Sequence, residues 1–181
     1  MIKTVWLVVV GTMSLVSIIV PSSVFAATIN CDQFVRSCVG TDAADTMIIS
    51  KLRGDGSPFY TIDGKGGGDS IAANLVQKDN IGGGGIFRVE GGSGDDNISV
   101  RKSIVLNLVS LFGGDGSDKV TYSGTSPALG LSLAQNDNSN NPDGKKDTLN
   151  CGNAANSGAH ISLEDGDVAV NCNIVNTQPN N

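Results

Sequence analysis

One short motif recurs along the chain: a glycine-rich turn, an aspartate, and an aliphatic residue two positions after it. The motif is clear in "GTDAADTMII", "GKGGGDSIAA", "GGSGDDNISV" and "GGDGSDKVTY", and weaker in "PDGKKDTLNC". Its aspartates, which are 24, 27, 22 and 29 residues apart, are Asp45, Asp69, Asp96, Asp118 and Asp147. A unit of this length buries its apolar face only by stacking on its neighbours. The chain is therefore predicted to fold as a stack of similar coils.

The segments between the motifs alternate apolar and polar residues, which is typical of half-buried strands. "IFRVE", "IVLNLVSLF" and "LGLSLA" keep this period of two, and no segment after residue 26 shows a helical period. The aliphatic residues that follow the aspartates are predicted to form one ladder in the core; they are Met47, Ile71, Ile98, Val120 and Leu149. We predict an all-β fold, a short right-handed parallel β-solenoid (β-roll or β-helix-like) of about five coils with glycine–aspartate corners. An antiparallel sandwich is the alternative, but it does not explain the near-constant spacing.

The acidic residues are almost all aspartate: of 18 acids only Glu90 and Glu164 are glutamate, which leaves 16. Aspartate favours turns and supplies oxygen ligands. The net charge of −6, with no basic run, argues against nucleic acid and anionic membrane surfaces as partners.

Residues 1–26 have the layout of a cleaved secretory signal peptide: Lys3, an apolar run from Val5 to Val20, Pro21, and a small residue at Ala26. A retained membrane anchor is the competing interpretation. Cleavage predicts a secreted, extracellular protein with no membrane contact after processing. The solenoid is then expected over residues 27–175, followed by a frayed tail at 176–181.

Four cysteines behind a signal peptide indicate disulfide bonds, and four cysteines allow three pairings. Cys31–Cys38 and Cys151–Cys172 are favoured, because each pair lies at one end of the chain and would staple an end of the stack. A zinc site is the alternative. The sequence lacks a short Cys-x-x-Cys and has a single histidine, His160.

Residues 91–99 and 113–121 both fit G-G-x-G-x-D-x-aliphatic-x, and residues 64–72 fit except for Lys65. The chain therefore resembles the hemolysin-type (RTX) calcium-binding repeat proteins. The resemblance implies Ca²⁺ between stacked turns, best between 91–96 and 113–118, with a second ion involving Asp69. The metal-binding residues it implies are Gly91, Gly92, Gly94, Asp96, Gly113, Gly114, Gly116, Asp118 and Asp69.

Calcium prefers six to eight oxygen ligands, and glycine-rich turns can direct several carbonyl groups at one point. We therefore expect calcium binding that is coupled to folding after export. The chain departs from the family in carrying one motif per long coil, which permits ions along one edge only, and in its N-terminal signal.

Three other functions are weighed against a non-catalytic calcium-binding module at the cell surface or in a matrix. The first is a metal-free structural or adhesive solenoid. The second is a small polysaccharide-acting β-helix enzyme, for which Arg88, Arg101 and Lys102 are the basic candidates. The third is an assembly piece whose open ends bind a cell-surface partner or a second copy.

Overall fold

The computed structural model describes residues 25–104, 106–124, 130–134, 144–152, 159–163, 166–172 and 176–177. Residues 1–24 of the predicted signal segment therefore lie outside the described residues. The strands are β1 Thr28–Asn30, β2 Ser37–Val39, β3 Thr46–Arg53, β4 Phe59–Asp63, β5 Ser70–Asp79, β6 Ile86–Ser93, β7 Asn97–Lys102, β8 Leu108–Asp115, β9 Lys119–Gly124, β10 Gly130–Ala134, β11 Thr148–Asn150, β12 Ala159–Leu163, β13 Val168–Val170 and β14 Asn176–Thr177. Short 3₁₀ turns occupy Cys31–Gln33 and Gly82–Gly84.

The strands alternate along the chain between two parallel sheets. Odd-numbered strands form one seven-stranded sheet in the order β1-β3-β5-β7-β9-β11-β13, and even-numbered strands form the other in the order β14-β12-β10-β8-β6-β4-β2. Each coil thus contributes one strand to each sheet. This arrangement confirms the predicted all-β parallel solenoid and excludes the antiparallel sandwich.

The coil count differs slightly from the predicted five, and each sheet contains seven strands. The additional strand pairs, β1–β2 and β13–β14, lie at the two ends of the stack, where the glycine-rich motif is missing or reduced. Strand β14 also extends the pairing to Thr177, two residues into the segment predicted as a frayed tail.

The core lies between the two sheets. The predicted aliphatic ladder is confirmed: its residues pair in register from coil to coil and are at most 1 % exposed, and they are Met47, Ile71, Ile98, Val120 and Leu149. From the other sheet, Tyr60, Phe87 and Val109 stack in register and are fully buried. In these strands the aliphatic residues thus face the core, and the residues that alternate with them face outward.

Both predicted disulfides are confirmed. Cys31–Cys38 closes the first coil with a Cα–Cα distance of 5.5 Å, and Cys151–Cys172 joins the last coils with a Cα–Cα distance of 5.1 Å. Within the described residues no cysteine is free. A cross-link at each end restrains the coils that have a stacking neighbour on one side only.

Candidate functional site

The glycine–aspartate turns all lie on one edge of the solenoid, where the chain passes from the even-numbered to the odd-numbered sheet. Residues 64–69 connect β4 to β5, and the turns that end at Asp96 and Asp118 connect β6 to β7 and β8 to β9. Asn97 pairs with both Ser70 and Lys119, so the aspartates that precede these residues are stacked in one column. The structure therefore brings Asp69, Asp96 and Asp118 together.

These aspartate side chains point into the solenoid. Asp69, Asp96 and Asp118 are only 2 %, 2 % and 3 % exposed. In a strand-like segment, residues two apart share a face, so the aspartate lies on the same inner face as the aliphatic residue of its motif. The carboxylates form the outer margin of the core at this edge.

Each buried carboxylate accepts a hydrogen bond from the main chain of the preceding coil. The backbone N–H of Asp69 donates to Asp96 Oδ1 at 2.6 Å, and that of Asp96 donates to Asp118 Oδ1 at 2.8 Å. The same bond links Asp45 to Asp69 at 2.7 Å and Asp118 to Asp147 at 2.7 Å. We call this column the aspartate ladder: Asp45, Asp69, Asp96, Asp118, Asp147 and Asp167.

Asp167 is a member of the ladder that the sequence analysis missed. It accepts the backbone N–H of Asp147 at 2.8 Å and precedes strand β13. Its segment, "LEDGDVAV", lacks the leading glycines of the motif, and its core position is taken by the small residue Ala169. The sequence pattern that could have identified Asp167 is its position two residues before Ala169, which pairs with the core residue Leu149.

The first glycine of the motif is required by the carboxylate five residues later. A Cβ atom on Gly40 would lie 2.9 Å from Asp45 Oδ2 and 2.5 Å from the carbonyl oxygen of Gly64. The same two collisions, with the aspartate of the same coil and a carbonyl of the next, recur at Gly64 and Gly91. Glycine at this position is therefore explained by stacking alone.

The later glycines of the motif meet a second requirement. Gly92 and Gly114 have φ of +111° and +112°, and Gly94 and Gly116 have φ of +121° and +145°, a region that residues with a Cβ avoid. A Cβ on any of these four would also collide with the backbone of the preceding coil. Lys65 adopts φ of +82° at the equivalent position, and its ammonium lies 3.1 Å from Asp63 Oδ2 on the outer surface.

The second carboxylate oxygens are in an unusual environment. Among the described residues, Oδ2 of Asp69 and Oδ2 of Asp96 are buried without a hydrogen-bond partner. A Cβ on Gly91 would collide with both Asp96 Oδ2 and the carbonyl oxygen of Gly113, so these two oxygens approach the same point. Asp69 Oδ2 and the carbonyl oxygen of Gly91 converge in the same way at Gly64. A buried carboxylate oxygen without a donor is stabilised by a proton or a cation nearby.

Burial is the main cause that raises the pKa of Asp96 to about 7; the hydrogen bond from Asp69 opposes it, and the charges of Asp118, Asp69 and Asp95 assist it. Burial likewise raises the pKa of Asp69 to about 6, assisted by Asp45 and Asp63. At the first ladder position, burial also raises the pKa of Asp45, but hydrogen bonds from Thr41 and Ala27 outweigh it and leave the pKa lowered. The middle of the ladder is thus far easier to protonate than its first residue.

We expect the free energy of unfolding to fall as pH rises from 5 to 8 without calcium. Asp69 and Asp96 hold protons in the folded protein that they release above about pH 4 when unfolded, so their stabilising effect is complete below pH 4 and is lost through pH 6–7. One pKa unit corresponds to about 1.4 kcal/mol, so a loss of about 2 kcal/mol is expected after partial screening. Urea unfolding at pH 5 and 8 measures it, and a higher midpoint at pH 8 would contradict it.

A shallow groove of about 170 Å³ lies on the outer surface beside the turns. Its lining includes Gly91, Gly92, Gly113 and Gly114 together with the outward side chains of Asp63, Lys65, Glu90, Ser93, Phe112 and Asp115. Arg88 pairs with Glu90, and its guanidinium carbon lies 4.1 Å from the centre of the Phe112 ring. The predicted calcium turns therefore have acidic side chains outside as well as inside, and the sequence analysis did not place Asp63 or Glu90 there.

The basic residues considered for an enzyme are not brought together. Arg101 and Lys102 are neighbours on β7, so Arg101 faces solvent while Lys102 is buried. Arg88 lies on β6 in the other sheet. In the part of the chain that the structure describes, no three His, Cys, Asp or Glu side chains are grouped closely enough to hold a metal ion.

No protein-family model, no curated protein and no solved structure matches this chain. The resemblance to hemolysin-type repeats therefore depends on the motif residues alone. No helix in the described ranges is both long and apolar enough to cross a membrane.

Proposed function

We propose that this chain is a secreted, non-catalytic β-solenoid that serves as a surface or matrix module, and that its stacked glycine–aspartate turns bind Ca²⁺. The observation that carries the calcium proposal is the convergence of a buried carboxylate oxygen and a main-chain carbonyl in two successive coils. These pairs are Asp69 Oδ2 with the Gly91 oxygen, and Asp96 Oδ2 with the Gly113 oxygen. A hard cation neutralises such oxygen pairs.

The residues fit calcium in type and charge. Asp69 and Asp96 each offer one carboxylate oxygen, Oδ2, because Oδ1 already accepts a backbone N–H. The carbonyl groups of the glycine turns are the other protein donors, and water must complete the six to eight oxygens that calcium takes. Calcium, when bound, supplies positive charge to a column of aspartates that otherwise repel one another. The chain's own part is to hold those oxygens in register.

The secreted location is supported by two features. Both disulfides are formed in the structure, and disulfides persist in oxidising compartments. The sequence that precedes the first strand has the layout of a signal peptide. Extracellular calcium is roughly millimolar, and extracellular modules often have dissociation constants of about 10⁻⁴–10⁻³ M, so each site would add about 1 kcal/mol to stability.

A metal-free structural solenoid is the second candidate, and the ladder itself favours it. Every Oδ1 in the column has a backbone donor, and a pKa of about 7 lets Asp96 hold a proton near neutral pH. A proton on Oδ2 would neutralise the carboxylate and supply a donor to the neighbouring oxygen, so no calcium ion would be needed. The aspartates then act as structural residues that align the coils.

Calorimetric titration with calcium at pH 8 tests the proposal. We expect heat of binding and a melting temperature that rises with calcium. Both should be lost in Asp96→Asn and Asp118→Asn, because an amide is a weaker calcium ligand than a carboxylate. Asp95→Asn is the matched control, since Asp95 is exposed on the outside of the same turn and accepts the backbone N–H of Ser117.

Absence of heat, with identical melting curves in calcium and in chelator, would exclude calcium and leave the metal-free solenoid. Equal loss of binding in Asp95→Asn and Asp96→Asn would contradict binding at the ladder alone and place the ion where the outer face of the turn also contributes.

A further inference from the structure

We propose that Asp45 is the receptor for the mature N-terminus of this protein. Cleavage after Ala26 would leave an α-ammonium group on Ala27 that pairs with the Asp45 carboxylate and closes the first coil. This inference rests on the secretion proposed above, because processing creates the amine. Hydrolysis of the Ala26–Ala27 peptide bond consumes one water and leaves a carboxylate on Ala26 and an ammonium on Ala27.

Ala27 occupies the ladder position of the first coil. Its nitrogen donates to Asp45 Oδ1 at 2.6 Å, and its carbonyl oxygen accepts the N–H of Thr46 at 2.8 Å. One coil later, the nitrogen of Asp45 donates to Asp69 Oδ1 at 2.7 Å, and its carbonyl oxygen accepts the N–H of Ser70 at 2.8 Å. The two arrangements are the same, except that Ala27 has no carboxylate and begins the column.

Among the described residues, burial begins where the predicted signal segment ends. Phe25 is 77 % exposed and Ala26 is also exposed, whereas Ala27 is partly buried and strand β1 begins at Thr28. The cleavage pattern in the sequence ends at Ala26. Two independent observations thus select Ala27 as the first residue of the mature domain and as the first residue in contact with the ladder.

The surroundings of Asp45 suit an ion pair. The side chain is 2 % exposed, and it also accepts hydrogen bonds from the backbone N–H of Thr41 at 2.6 Å and from Thr41 Oγ1 at 3.1 Å. These bonds favour the ionised form of Asp45 and lower its pKa, whereas the pKa values of Asp69 and Asp96 are raised. Before cleavage a neutral amide N–H faces this anion; after cleavage an ammonium does. The ionised acceptor makes the bond charge-assisted in both forms, and cleavage adds the attraction between two opposite charges.

The test compares three forms of the secreted protein: one beginning at Ala27 with a free amine, the same protein acetylated at Ala27, and one beginning at Phe25. The acetylated form keeps the N–H donor and removes only the charge. With all melts recorded at pH 7 in chelator, we expect the free-amine form to melt about 3 °C above the other two. In Asp45→Asn the three melting temperatures should coincide.

Equal melting temperatures of the free-amine and acetylated forms would overturn the ion pair, and this comparison remains decisive if Asp45→Asn does not fold. A difference that persists in Asp45→Asn would also overturn it. The mass of the protein exported from the full-length chain tests processing separately: a chain that starts at Ala27 supports the inference, and another start removes it. Because calcium is absent from the melts, failure of calcium binding leaves these results unchanged.

Discussion

At pH 8 without calcium, Asp96→Asn is expected to raise the melting temperature by about 5 °C, although it replaces the aspartate of the best motif. The asparagine oxygen can accept the backbone N–H of Asp69, as Asp96 Oδ1 does at 2.6 Å. Its amide nitrogen then takes the place of Oδ2 and can donate to the carbonyl oxygen of Gly113. The substitution removes a buried charge that lies near Asp69 and Asp118 and supplies the missing donor.

Differential scanning calorimetry of Asp96→Asn, Asp95→Asn and the wild-type protein at pH 5 and pH 8 measures this effect. The gain should shrink at pH 5, because Asp96 with a pKa of about 7 is then protonated in the wild-type protein. Asp95→Asn removes the same charge from the outside of the turn and should change the melting temperature by less than about 2 °C. A lower melting temperature for Asp96→Asn in chelator at both pH values would contradict the proposed ladder chemistry.

This variant also separates the two candidate functions. In the calcium-binding solenoid, Asp96→Asn is more stable than the wild-type protein in chelator, but the wild-type protein gains stability in millimolar calcium and the variant does not. In the metal-free solenoid, calcium changes neither protein. The ladder is therefore either a set of ionised ligands that calcium completes or a set of carboxyl groups that remain partly protonated.

The fold was predictable because the repeat encodes it twice, once in the spacing of the aspartates and once in the aliphatic residue that follows each of them. Met47, Ile71, Ile98, Val120 and Leu149 could be aligned from the sequence alone, and the structure pairs them in register. The end coils were missed for a physical reason. An end coil has a neighbour on one side only, so its turn is less restricted, and Asp167 does without the leading glycines.

The orientation of the aspartates was available in the sequence but was not used. An aspartate two residues before a core aliphatic residue lies on the same face of a strand, which predicts an inward carboxylate. What the sequence did not contain is the identity of the donor. The bond from Asp69 N–H to Asp96 spans 27 residues and exists only when adjacent coils are in register. The groove beside Asp63 and Glu90 likewise depends on strands from different coils.

Gly91→Ala is expected to be among the most damaging single-methyl additions to the chain, lowering the free energy of unfolding by about 3 kcal/mol and the melting temperature by about 10 °C. The added Cβ would collide with Asp96 Oδ2 on one side and with the carbonyl oxygen of Gly113 on the other. Displacing either neighbour costs free energy, because Asp96 Oδ1 accepts the N–H of Asp69 and the carbonyl group belongs to the backbone of the stacked coil.

Gly66→Ala is the matched control within the same motif. The nearest atom to its Cβ would be Ser93 Oγ at 3.6 Å, an ordinary contact, and the equivalent positions of the next two turns already hold Ser93 and Asp115. Thermal melts of both variants in chelator should show a large loss for Gly91→Ala and a change within about 1 kcal/mol for Gly66→Ala. Equal melting temperatures would mean that the turns do not stack as described. If the difference appears without calcium, stacking alone accounts for the first glycine, and the motif by itself does not identify a calcium protein.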